Sequence, residues 1–109
     1  MENEIRREVE EIFEDRKQKL GLDAILDLEF NRSVWGPPVA GENVYAEAFP
    51  FERPPRVWME IFAPDVTKKE MEETVCHELV HIQHPELKKE NKEFQRMVRA
   101  CIELKRKKL

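Results

Sequence analysis

The residues with the clearest chemical potential lie in Thr74-Val75-Cys76-His77-Glu78-Leu79-Val80-His81-Ile82-Gln83-His84. His77 and His81 stand four positions apart, and Glu78 directly follows the first. In a helix, that spacing stacks the two imidazoles on one face. Two ring nitrogens so arranged can share one zinc ion. Glu78 would lie about 100° round the same helix, off the ligand axis. It is placed instead to take a proton from a water on the metal. Zinc lowers the pKa of such a water from about 15.7 to roughly 7, so a carboxylate base suffices near neutrality. The chemistry implied is metal-assisted hydrolysis, with His77 and His81 as ligands and Glu78 as the catalytic base.

A charged surface helix carrying two histidines by accident is the plainer alternative. Val75, Cys76, Leu79, Val80 and Ile82 count against it, because they make the helix largely buried. The chain's three histidines also all fall between positions 77 and 84.

Zinc needs at least one more protein ligand, with a position left open for water. Downstream candidates are His84, Glu86, Glu90, Glu93 and Glu103. His84 begins on the correct face but lies too far along the helix, and suits the break before Pro85. Counting back from a buried stripe, 101, 97, 94 and 90 share one helical face, so Glu90 is expected to point inward. An inward carboxylate is costly to bury without a cation, and a metal removes that cost. Glu90 is therefore favoured, with Glu86, Glu93 and His84 remaining open. Cys76, beside His77, would face away from the ligand axis.

The positioning elements follow from periodicity. Ile5, Val9, Ile12, Phe13 and Leu20 predict a first helix over 3–20, closed by Gly21. Its acidic start and its Arg16, Lys17 and Lys19 match the helix dipole, and it reads as scaffold. Residues 25–31 alternate apolar and acidic as a half-buried strand, and 32–43, with Trp35, Gly36, Pro37, Pro38 and Gly41, read as a loop. Residues 43–49 predict an edge strand. Residues 56–62 are the most apolar strand and hence the central one. Pro64 ends it. Thr67 and Glu70 form a capping box that opens a helix over about 68–84. Pro85 is expected to start a final helix reaching about 107, with Phe94, Met97, Val98, Cys101 and Ile102 buried. Lys105-Arg106-Lys107-Lys108 would complement its dipole. The fold class is α+β in the order α-β-β-β-α-α, a small three-stranded sheet packed on the site helix and a C-terminal helix.

The chain has 109 residues, which suits a single domain over 1–109. Charged residues make up 39% and hydrophobic ones 40%, a globular balance despite a mean hydropathy of −0.70. The prominence of Glu and Lys is the bias of thermostable proteins. A net charge of −4 gives no reason to expect nucleic acid or an anionic membrane as partner. Met1-Glu2-Asn3-Glu4 opens no secretory signal, and no apolar run approaches a membrane span. Cys76 and Cys101 read as reduced core thiols, so a cytoplasmic location is expected.

With these residues in view, the chain resembles the gluzincin metallopeptidases, which combine H-E-x-x-H with a downstream glutamate. More narrowly, it resembles the minigluzincins, small stand-alone scaffolds of about this length. The similarity runs through Asn43-Val44-Tyr45-Ala46-Glu47-Ala48-Phe49-Pro50, the strand ending Glu60-Ile61-Phe62, and His77-Glu78-Leu79-Val80-His81. Membrane peptidases related to HtpX show a similar order of strand, strand and helix. This chain lacks their membrane helices and far-downstream glutamate, so Glu90 would take that role. SprT-like and WLM-type peptidases carry a histidine and, four residues later, an aromatic; here Glu90 precedes Phe94 by four.

The resemblance implies a zinc-dependent endopeptidase that cleaves extended or unfolded polypeptides added along the edge strand. Val44, Tyr45, Ala46 and Glu47 would contact the substrate, mainly through the backbone, with Trp35 and Trp58 as specificity neighbours or simply core. Tyr45 could assist the oxyanion, although packing is the plainer role. By the same analogy, the segment after about Val98 would block the cleft, giving latency, weak activity and self-association. The rival interpretation is a catalytically silent, zinc-containing scaffold that captures peptides or self-assembles.

Overall fold

The computed structural model describes residues 2–31, 43–63, 65–87 and 90–104. Most of the expected loop with Trp35, together with Pro64, Lys88, Lys89 and Lys105–Lys108, lies outside them. The elements are α1 (Glu2–Lys19), β1 (Ile25–Phe30), β2 (Val44–Phe49), β3 (Arg56–Ile61), α2 (Lys68–Gln83) and α3 (Lys92–Glu103). This is the expected α+β order, with small shifts at most boundaries.

Local chemistry sets the helix ends. Gly21 adopts φ +68, where a side chain would be strained. The Gly21 amide then donates to Gln18 O and the Leu22 amide to Lys17 O, at 3.1 and 2.9 Å, closing α1 in a Schellman turn. At α2 the Thr67 hydroxyl accepts the Glu70 amide while Glu70 accepts the Thr67 amide, both at 3.1 Å. Glu70 also accepts two bonds from Asn43 Nδ2, at 3.0 and 2.8 Å, which ties the start of α2 to the residue before β2.

The sheet order is β1-β3-β2, so β3 is central as expected and β2 is an edge. β1 runs parallel to β3, with Ile25 opposite Arg56, and β2 runs antiparallel, with Val44 opposite Ile61. Val57, Met59 and Ile61 point inward with Leu28 and are buried. They meet Ile5, Val9, Ile12 and Phe13 of α1 and Met71, Val75, Leu79 and Ile82 of α2 in one cluster. α1 thus shares with α2 the task of covering the sheet.

α3 attaches to another side of α2, where Cys76 and Val80 pack against Phe94, Val98 and Cys101. It begins at Lys92, later than the start expected at Pro85. His84 ends α2 by donating its amide to Val80 O at 2.8 Å, and the chain turns, with the Leu87 amide bonded to His84 O. The Asn91 side chain accepts the Phe94 amide at 3.0 Å and caps α3. Pro85 therefore opens a turn rather than a helix.

Arg16 does not act as a solvent-facing cation for its own helix dipole. It is 1% exposed. Its guanidinium donates to Cys101 O at 3.0 Å, Ile102 O at 3.3 Å, Glu72 Oε2 at 2.7 Å and the carboxylate of Asp15. One side chain thereby joins α1, α2 and the end of α3. Charge-assisted bonds of this kind are stronger than neutral ones.

Candidate metal centre

α2 and the residue pair before α3 build the centre between them. Burial of Val75, Cys76, Leu79, Val80 and Ile82 fixes the roll of α2, which leaves His77 and His81 half-exposed on one side. Their rings lie 4.9 Å apart, centroid to centroid. Phe94, fully buried, underlies both at 5.0 and 4.4 Å and limits their rotation. Glu90 reaches in from the chain ahead of α3. Its Oε2 stands 3.0 Å from His77 Nε2 and 3.6 Å from His81 Nε2.

Donor atoms of His77, His81 and Glu90 all fall within 4.8 Å of one another. Among the described residues no other three His, Cys, Asp or Glu side chains converge in this way. Two imidazole nitrogens and one carboxylate oxygen are a donor set that zinc accepts, with a position left for water. Burial, then the neighbouring His77, push the pKa of His81 below its ordinary value against an opposing pull from Glu90. The neutral ring that results is the form that ligates. On donor chemistry the three residues fit a zinc ion.

The alternatives are set apart. His84 Nδ1 faces Glu86 Oε2 at 3.2 Å, so these two engage each other. Glu93 is exposed in the first turn of α3. The Cys76 thiol is buried and hydrogen-bonded with Cys101; that bond and the burial push its pKa up, away from the thiolate a metal needs. Glu90 comes to the histidines by a route other than the predicted one, because it precedes α3 and is not on that helix's face.

Glu78 is 7% exposed on α2, beside the histidine pair but not among the converging donors. Its carboxyl is pushed up to about 7, first by burial and then by the charges of Glu90 and Glu47. A groove of about 740 Å³ opens over it, lined by Val44, Tyr45 and Ala46 of β2 together with Glu73, His77 and Glu90. Three of the four expected substrate-contacting residues thus line the groove. Glu47 does not; its carboxylate accepts the Tyr45 hydroxyl. The Tyr45 ring meets Trp58 edge-on at 5.7 Å, so its hydroxyl and ring are both engaged on β2 and β3.

Sequence reasoning missed Arg16, whose i+3 and i+4 spacing from Phe13 and Ile12 marks it as a member of the buried stripe. It also missed Asn91, an N-capping residue type three positions before the buried Phe94. No family model, curated protein or solved structure matches the chain.

Proposed function

We propose that the chain is a zinc-dependent peptidase acting on extended polypeptide. The observation that carries this reading is the convergence of His77, His81 and Glu90 at a groove walled by an edge strand and holding Glu78. Zinc, when bound, supplies Lewis acidity that polarises a carbonyl and acidifies water. His77, His81 and Glu90 would hold it. Glu78 takes a proton from the attacking water and later delivers it to the leaving amine, as a carboxyl tuned towards neutrality can do. β2 offers main-chain donors and acceptors along its unpaired side, which orient an added peptide strand across the groove. Phe94 closes the floor beneath the imidazoles and keeps water from that side.

The test is cleavage of an unfolded protein by submicromolar zinc-loaded chain, with Glu78→Ala in parallel. Cleavage that disappears in the variant while zinc stays bound supports the peptidase and the base together. Equal cleavage by both proteins removes Glu78 from the mechanism. Zinc binding without cleavage by either favours the silent peptide-binding scaffold.

A further inference from the structure

Two grooves of opposite charge meet at Glu90. The first, along β2, is lined by Glu70, Glu73, Glu78 and Glu90 and, among the described residues, by no lysine or arginine. The second, about 510 Å³, continues from Glu90 along α3 and is lined by Asn91, Lys92, Gln95, Arg96 and Arg99. Positions 92, 96 and 99 share one helix face, opposite the buried stripe of Phe94, Val98 and Cys101. All three cations are exposed, and among the described residues none has a salt-bridge partner.

Local stability does not favour the start of this face. Lys92 and Arg96 are like charges at i and i+4, which is unfavourable. Lys92 also occupies the first turn, where the helix dipole disfavours a cation. Neither contributes to the core. An acidic segment laid in the groove would relieve both effects, and the acidic β2 side would reject that same segment.

We infer that the α3 groove binds an acidic stretch of substrate, so that preferred substrates carry Asp or Glu on one side of the cleaved bond. This specificity rests on the peptidase reading of the same centre. From Lys92 to Arg99 the helix rises about 10 Å, which spans roughly three residues of an extended peptide. The acidic residues should therefore fall in a run of about three, beginning just beyond the bond.

The experiment uses peptides sharing one neutral core, with three Asp or three Lys placed at either end. Binding is followed by fluorescence anisotropy in the Glu78→Gln background, so that no peptide is consumed, and kcat/KM is measured with the unsubstituted chain. One Asp-bearing peptide should bind about tenfold tighter than its Lys counterpart in low salt, as a few exposed ion pairs allow. The advantage should shrink as salt screens it, fall to about twofold in R96Q/R99Q, and invert in R96E/R99E. Both substitutions are at exposed positions, and circular dichroism checks that the fold persists. Equal binding of Asp and Lys peptides, or an Asp preference that survives R96Q/R99Q, would overturn the inference. Cleavage without charge preference also overturns it and leaves the peptidase reading standing. Charge-selective binding with no cleavage of any peptide removes the peptidase reading while supporting the groove as an acidic-peptide site.

Discussion

Glu90 stands two positions before α3 begins, yet its carboxylate lies against both imidazoles. Replacing it with Gln keeps the shape and removes the charge. We expect zinc affinity to fall at least tenfold in Glu90→Gln, read by competition with a chelating dye, and the far-ultraviolet spectrum to stay unchanged. Undiminished affinity would exclude Glu90 from the centre. Phe94 supports the same rings from beneath, and Phe94→Ala should cost about 3–5 kcal/mol in urea unfolding. His77, Glu78 and His81 were legible because one helix carries all three, so a fixed pitch relates them. Glu90 was reached through a mistaken helix frame: Asn91, which caps α3, was read as helix interior. A centre that spans a turn between two helices is not set by periodicity in either one.

Two helix ends closed by short-range chemistry were readable, at Gly21 and at the Thr67–Glu70 box, whereas the Asn91 cap was hidden by the helix expected to start at Pro85. What could not be read was the long-range use of Arg16. The stripe places it inward, but only the packed fold supplies Glu72 and the carbonyls of Cys101 and Ile102. Arg16→Ala strips partners from all of them and should cost about 3–5 kcal/mol, measured by thermal or urea unfolding. Asp15 allows a pH test of the same junction. Partial burial would raise its pKa, but Lys19 and then Arg16 outweigh this and hold it below the ordinary 3.8. A carboxyl depressed on folding contributes stability above its unfolded pKa and loses it as pH falls through the folded value. Unfolding free energy should therefore drop below about pH 4 more steeply in the unsubstituted chain than in Asp15→Asn. Parallel slopes would mean that Asp15 contributes nothing there.

At the scale of the whole molecule, fold class and strand ranking were available from composition and pattern alone. β3 carries the densest apolar run, and the central strand of a small sheet has the most surface to bury. The parallel pairing of β1 was not, since nothing local to Ile25–Phe30 records the direction of its neighbour. No helix among the described residues is long and apolar enough to cross a membrane. The open side of β2, with Tyr45 47% exposed, is a surface on which a second chain can add a strand. We expect the average mass in sedimentation equilibrium to rise between micromolar and millimolar concentration. A constant monomer mass would show that the edge is closed to other copies.

The central strand is also the last of the three in sequence, and this bears on how the protein reaches its native state. β2 and β3 can pair early across a short connection, whereas Ile25 must wait for Arg56 and close a much longer loop. The hairpin should then be formed when the rate-limiting barrier is crossed, and β1 should dock after it. Leu28→Ala would accelerate unfolding and leave the refolding rate nearly unchanged, while Val57→Ala would slow refolding. The strand on which β2, one wall of the groove over Glu78, is hung would thus also govern the speed of that groove's assembly.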